Sequence, residues 1–445
     1  MLIDTCRYED SGGGWRPDPL LSPRENESSA ILLEAGVMQT IWLSVRVPYG
    51  IPSGQYSGTI TLIVALPHTG TLEQQVKVQL TVWNIDLPSL KHAKFPAIFS
   101  FKPSNMEVVY GKATDEMKYK FYDLLTEQRV GGDNLYTNIP TNLSIASYLA
   151  NKGIQWLSLY DVYGAAGIAE HSIYGKVRGV CLNFTDAQVE KVVSILTPVV
   201  NEYESNGLLE DMFVYGFDEA PASCEASIRK IFGAIKGKWP QIRTVAVLNW
   251  LPPTDLPLDV WVLQYEKYNQ TEAATWVAAG KQQWWYHCIE PSGVQFLNTF
   301  IERPLIMARL LYWLGSAYRV GGWLYYSVAM WQRYPTTHTP MQRLNETAKT
   351  DFDPANYIWL PSTEYFANGD GNFVYPGPSG PIPTIRLHNL RDGFEDAELF
   401  RMLAVNNVGP LVQPLVRSST DYTLDPLLME KQRLLAASMV LHNKK

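Results

Sequence analysis

MFVYGFDEAP, residues 212–221, is an apolar, aromatic-rich run that stops at two adjacent carboxylates, Asp218 and Glu219, followed by a turn proline. Its first half reads as a short buried strand, because four to eight consecutive apolar residues bounded by turn signals fit a strand covered on both faces. Two acids at the mouth of a strand can divide one job. One stays ionised and the other is held protonated as a general acid when their environments differ, which is the division of labour of many glycosidases. The same two acids would equally serve as an N-terminal cap for a following helix, where orphan N–H groups and the helix dipole favour negative charge. The surrounding sequence has to decide between these readings.

Strand-like and helix-like stretches alternate on both sides of this run. Eight candidate strands are FPAIFSF (95–101), DNLYT (133–137), IQWLSLY (154–160), FVYGF (213–217), TVAVLN (244–249), VWVLQY (260–265), QWWYHCI (283–289) and GWLYYSVAMW (322–331). Helical patterns such as DEMKYKFYDLLTEQ, TDAQVEKVVSILTPVVNEYES and SCEASIRKIFGAIKG lie between them. Eight strands with intervening helices over roughly 240 residues match an α/β fold of the (β/α)8 TIM-barrel type better than a doubly wound sheet. Such a barrel carries its active site at the C-terminal ends of its strands, and Asp218-Glu219 ends the fourth. Asn249-Trp250, Tyr265, Tyr286 and Tyr326 fall at the same rim, with barrel-core packing as the alternative use of their rings.

Ahead of the barrel, residues from Ala30 to about Leu87 alternate apolar and polar in short runs broken by Pro and Gly, the texture of a small antiparallel β-sandwich. The expected organisation is an N-terminal β-sandwich domain over 1–92, a catalytic barrel over 93–405 and a C-terminal helical extension over 406–445. Residues 332–385 form a long Pro- and Gly-rich segment, and a stretch of this kind inside a compact domain is usually functional or disordered. Its aromatic and Asp content favours a rim loop.

The 445 residues are 46% hydrophobic and 18% charged, with 14 Trp and 25 Tyr. This balance suits aromatic surfaces presented to a ligand, carbohydrate among them, although core packing accounts for most such rings. A net charge of −7 without basic runs argues against nucleic acid as a partner. Cys6, Cys181, Cys224 and Cys288 are widely spaced, with neither a disulfide framework nor a metal-ligand pattern, so no metal or other cofactor is expected. No apolar run reaches the roughly 18 residues of a transmembrane helix, and the N-terminus lacks signal-peptide order; its polar, loop-like opening leaves open whether the true start lies further upstream. Five sequons, at Asn26, Asn142, Asn183, Asn269 and Asn345, fit a secreted or lysosomal location.

Several ordered motifs resemble glycoside hydrolase family 123, the retaining N-acetyl-β-galactosaminidases, and related proteins with the same catalytic domain. They are IWLSVRVPYGIPSGQYSGTI, YGFDEAP, WWYHCIEP, RLLYWLGSAYRVGGWLYYSVAMW, GDGNFVYPG and RLHNLRDGFEDAELFRML, which together cover roughly residues 15 to 405. The resemblance implies substrate assistance, in which the sugar's own 2-acetamido oxygen attacks the anomeric carbon. Asp218 would orient the acetamido group and stabilise the oxazolinium-like intermediate. Glu219 would protonate the leaving oxygen and later activate water. Tyr286, Tyr326 and Trp331 are candidate walls of the sugar subsite, Trp250 and Tyr265 further rim contacts, and Asp370 a hydroxyl-binding group; each could instead simply pack. Arg386, Arg391 and Asp392 read as helix-to-barrel ion pairs, and His287 as structural. Two departures stand out: Tyr326 replaces a Trp common in the family, and the N-terminal region is short for a complete sandwich. The implied partner is a glycan or glycolipid. The alternatives are a non-catalytic carbohydrate-binding protein on the same scaffold and a glycosidase for another sugar.

Overall fold

The computed structural model describes residues 2–10, 15–21, 36, 38–66, 70–137, 142–162, 181, 184–331, 368–377 and 379–443. Most of the long segment that begins at residue 332 therefore lies outside the described residues, as do the sequons at Asn26, Asn183 and Asn345. The other two sequon asparagines act as helix N-caps: Asn142 accepts the Ser144 N–H, and Asn269 accepts those of Thr271 and Glu272.

The core is a curled, seven-stranded parallel sheet flanked by helices. In chain order the strands are β6 (Ala97–Phe99), β7 (Leu157–Asp161), β8 (Met212–Tyr215), β9 (Arg243–Val247), β10 (Val260–Gln264), β11 (Gln282–Tyr286) and β12 (Trp323–Tyr325), and in space they run β6-β12-β11-β10-β9-β8-β7. Seven of the eight expected strands are thus present. The exception is DNLYT, which forms no named strand yet fills the gap between the sheet's two edges. Gly131 exchanges backbone hydrogen bonds with Ala97 and Phe99 on one edge, and the Thr137 carbonyl accepts the Asp161 N–H on the other. Between these points the Asp133 carboxylate accepts the Ser158 N–H of β7. A Gly-Gly-Asp-Asn sequence is a poor strand former, and here a side chain replaces ladder bonds.

Side chains alternate across each strand, so the two faces of the curl have separate cores. Phe213, Tyr215, Val247, Val262, Trp284 and Tyr286 belong to an inner cluster. Val214, Ala246, Leu263, Trp285 and Tyr325 belong to the larger outer cluster shared with the helices. The outer helices start as their sequences direct. Thr185 and Gln188 close a capping box on helix Asp186–Ser205, and Thr384 caps Ile385–Arg401.

The N-terminal part holds a three-stranded antiparallel sheet, β2-β1-β3 (Trp15–Leu21, Leu2–Asp10, Thr40–Ser44), and a separate hairpin of β4 (Gly54–Leu66) and β5 (Gly70–Val82). Strand β2 docks on the part of the chain that carries the parallel sheet. Pro19 bridges Thr384, and buried Asp18 pairs with buried Arg386 at 2.7 Å.

One expectation about the cysteines is corrected. Cys181 and Cys224 form a disulfide across 43 residues. It joins the approach to helix Asp186–Ser205 to the turn that follows Asp218-Glu219. The pairing is invisible in the spacing because tertiary folding alone brings these two segments together.

Candidate active site

The loop after β8 is built for one shape. A Cβ on Gly216 would collide with the Val162 side chain, so only glycine fits there. Phe217 follows in a left-handed conformation, φ +61°, with its ring fully buried against Phe184 and Phe232. Glu219 is also left-handed, φ +50°. Non-glycine residues there cost on the order of 1–2 kcal/mol each and persist where the surroundings over-determine them. The Trp250 indole supplies part of that constraint by donating to the Ala220 carbonyl at 2.8 Å. Asp218 and Glu219 are left half-buried at the tip of the turn.

Neither carboxylate caps the next helix. Helix Glu225–Lys238 has Cys224 at its N-cap, and the 3-10 turn before it has Pro221, with no side-chain cap at either. Each acid is instead held by a tyrosine hydroxyl from the inner face of the sheet. Tyr215 donates to Asp218 Oδ1 at 2.9 Å, and Tyr286 donates to Glu219 Oε1 at 2.7 Å. Tyr286 has one proton to give. Gln264 Oε1, at 3.4 Å, is the weaker acceptor, and Asn249 Nδ2 donates to the Tyr286 oxygen at 3.0 Å. The Gln264 N–H fixes Asn249 through its Oδ1. The chain Gln264, Asn249, Tyr286, Glu219 therefore sets the direction of the Glu219 carboxylate across the ends of four neighbouring strands. Replacing Tyr286 by Phe removes this orienting hydrogen bond, of order 0.5–1.5 kcal/mol, so kcat/KM should fall roughly 2- to 10-fold while circular dichroism stays unchanged.

A third acid approaches from residues 368–373. Asp370 is 4% exposed and accepts from the Tyr325 and Tyr326 hydroxyls, each at 2.8 Å. Burial raises its pKa to about 6 against the opposing effect of those hydroxyls. The Cys288 thiol joins the two groups electrostatically: its pKa is raised first by burial, and then by the charges of Asp370, Glu219 and Asp218. Protonation of Asp370 puts a proton on one of the two oxygens that accept these hydroxyls and weakens the pair of hydrogen bonds. A limb in kcat/KM rising through about pH 6 should therefore appear in the wild type and be absent in Asp370→Asn. The stability effect has the opposite sign. A carboxyl with a raised folded-state pKa stabilises the fold below its unfolded value, and this contribution is lost as pH rises through about 6.

The expected site residues divide by strand parity. Tyr286 and Tyr326 continue the inward positions of Trp284 and Leu324, and both reach a carboxylate. Tyr265 occupies the outward position after Gln264. It is 2% exposed, packs on Trp285 and Trp323, and donates to the Leu297 carbonyl at 2.6 Å. Trp331 is 1% exposed, packs on Phe121 and Tyr110 and donates to the Val374 carbonyl. The structure thus gathers Asp218, Glu219, Trp250, Tyr286, Tyr326 and Asp370 around one end of the sheet and sets Tyr265 and Trp331 into packed layers. Tyr215, Gln264 and Cys288 join the first group. Their signal was the same parity, two residues beyond an inward apolar neighbour for Tyr215 and Gln264, and none for Cys288.

His287 is fully buried, with its pKa pulled down to about 3. The Trp323 indole donates to its Nδ1 at 3.1 Å, which places the proton on Nε2, facing Thr299 Oγ1 at 2.9 Å. Arg386 bonds Asp18 through Nε and Nη2, the Gly369 carbonyl through Nη1 and the Asn372 carbonyl again through Nη2, so that it holds the backbone on either side of Asp370. Both therefore serve the architecture around the site. Among the described residues, no group of three or more His, Cys, Asp or Glu could hold a metal ion, and no helix is long and apolar enough to cross a membrane.

Residues 161–403, more than half of the chain, match the family described as glycoside hydrolase 123, catalytic domain. No curated protein sequence matches. A solved structure of a family 123 glycoside hydrolase from Clostridium perfringens, studied for the details of glycolipid glycan hydrolysis, superposes with a TM-score of 0.64 at 14% identity, over 99% of this chain and 85% of that one. A β-D-glucuronidase from Dictyoglomus thermophilum aligns over 88% of this chain and 64% of its own, with a TM-score of 0.41 and 10% identity.

Proposed function

Because the chain belongs to glycoside hydrolase family 123, we propose that it is a retaining exo-glycosidase that removes terminal β-linked N-acetylgalactosamine from a glycan or glycolipid by substrate assistance. One observation carries this reading: Asp218 and Glu219 are adjacent on a single strained turn, each oriented by its own tyrosine. A double-displacement pair has to flank the sugar ring from opposite sides, about 5–5.5 Å apart, one as nucleophile and one as acid. Two neighbours on one turn suit a different task, in which both act around C1 and C2 and the substrate brings the nucleophile. Asp218 then orients the 2-acetamido group and balances the charge of the oxazolinium ion. Glu219 gives its proton to the leaving oxygen and takes one from the water that opens the ring. Asp370 is a poor alternative nucleophile because tyrosine hydroxyls hold both its oxygens.

On the same reading the curled sheet is a (β/α)8 barrel closed by residues 131–137, preceded by a small β-sandwich domain over 1–92 and followed by a helical extension over 406–445. The Cys181–Cys224 disulfide supports folding in an oxidising compartment, in line with a secreted or lysosomal protein.

The test is a panel of aryl β-glycosides with a thiazoline that mimics the cyclised intermediate. The N-acetylgalactosaminide should be hydrolysed and the thiazoline should inhibit. Comparable turnover of the plain galactoside would remove substrate assistance, and saturable sugar binding without product would favour a carbohydrate-binding protein.

A further inference from the structure

The opposite end of the sheet holds a second concavity that the dyad does not use. A cleft of about 1030 Å³ opens at the N-terminal ends of the strands, beside Pro96, Gln155, Arg243, Gln282 and Gly321. That is at the upper end of the size of ordinary small-molecule sites. Its lining contains Lys94, Arg243, Lys281, Arg319 and Arg401, and no Asp or Glu. In a chain of net charge −7, five cations around one cleft without a lining acid call for an explanation.

Internal partners account for part of this. The Arg243 guanidinium lies 3.8 Å from the centre of the Trp156 ring, donates to the Gln155 and Glu210 carbonyls, and feels Asp211 and Asp259 behind the wall. Lys281 donates to the Leu256 and Leu258 carbonyls. Burial still lowers the pKa of Arg243 to about 10 and pulls those of Lys281 and Arg401 down, so nearby protein charges leave these cations incompletely compensated.

Lys94 and Arg319 are exposed at the cleft, and neither side chain has an ion-pair or hydrogen-bond partner among the described residues. Arg319 is held at φ +59° just past helix Ile306–Ala317, a position that glycine would occupy with less strain. A helix C-terminus attracts one cation, which explains Arg319 by itself but not the other four. The rest of the lining mixes small apolar residues, such as Ala273, Ala274 and Val277, with aromatic rings and amides that could meet a sugar. Tyr268 and Tyr318 stand together at 5.1 Å between ring centres, and the Gln155 and Gln270 amides line the cleft.

We propose that this cleft is a secondary binding site for an anionic saccharide, a sugar carrying a carboxylate or sulfate, with Lys94 and Arg319 meeting the charge and Tyr268 and Tyr318 the ring. The site is separate from the Asp218-Glu219 end of the sheet and does not depend on the function proposed for that pair. It would let the protein hold an acidic glycan at one pole while the other faces a neutral terminal residue.

Isothermal titration of the full chain at low salt, with N-acetylneuraminate, a sulfated disaccharide, a neutral disaccharide of the same size and inorganic sulfate, tests this. Saturable binding of a charged saccharide, tighter than that of the neutral one and of sulfate alone, is expected, with the two charged probes identifying the preferred anion. Lys94→Glu with Arg319→Glu should weaken it by about tenfold or more with the unfolding midpoint unchanged, and added salt should weaken it in the wild type. Glu219→Gln should bind as the wild type does, which separates this site from the other pole. No saturation with either charged sugar, equal binding of sulfate alone, or binding that survives the double charge reversal would each overturn the proposal.

Discussion

Glu219→Gln should lower kcat on an aryl β-N-acetylgalactosaminide by about 10²- to 10⁴-fold, the usual contribution of a positioned general acid–base. The substitution is nearly isosteric and keeps an oxygen to accept the Tyr286 hydroxyl, so the unfolding midpoint should not move. Asp218→Asn should lose about 10²- to 10³-fold, comparable to removing one electrostatic group aimed at developing charge. Changing the leaving group distinguishes the two roles. An aryl group that departs readily needs little protonation, so the Glu219→Gln deficit should shrink on such a substrate while the Asp218→Asn deficit persists. Full activity in both variants would sink the assignment of this pair, and an equal response to the leaving group would sink the division of labour between them.

The second large effect is on stability. Asp18→Ala should cost about 3–5 kcal/mol in denaturant unfolding, because it strands a buried guanidinium. Asp18 accepts from Arg386 Nε at 2.7 Å and Nη2 at 3.0 Å, and from the Tyr375 hydroxyl at 2.7 Å, with both charged side chains at most 2% exposed. Joint replacement, Asp18→Leu with Arg386→Met, should recover much of that loss, since an apolar pair has no desolvation penalty to offset. Activity should not recover with it. Arg386 also holds the Gly369 and Asn372 carbonyls that bracket Asp370, and the double variant removes that clamp. A single variant as stable as the wild type would show that the N-terminal strand contributes little to the stability of the parallel-sheet portion.

The pair also explains why reading the chain in segments has limits. Asp18 and Arg386 are 368 residues apart, and the sequence reading expected a helix-to-barrel ion pair for Arg386, whereas its partner lies on the N-terminal strand. Cys181 and Cys224 are the same case at shorter range. Spacing carries information about partners on one helix or one turn, and almost none about partners that only the folded chain brings together.

What the sequence determined by itself was local and periodic. Apolar runs marked eight strands, seven of which form the parallel sheet, turn residues marked their ends, and the acid pair fell at the end of one of them, where an α/β sheet presents its chemistry. The ordered motifs identified the family. Tertiary structure alone decided which strand-end residues take part. Tyr286 and Tyr265 are both aromatic residues at strand ends, yet the first holds Glu219 and the second packs beneath the helices. The two faces of a strand differ by one residue, and the boundary of an apolar run cannot be read that finely when both faces are buried. The folded chain also turned DNLYT from a strand into a segment held by the Asp133 carboxylate, and it gathered five cations at the far pole from segments as distant as Lys94 and Arg401. Those placements depend on how the sheet curls, which is a property of all its strands together.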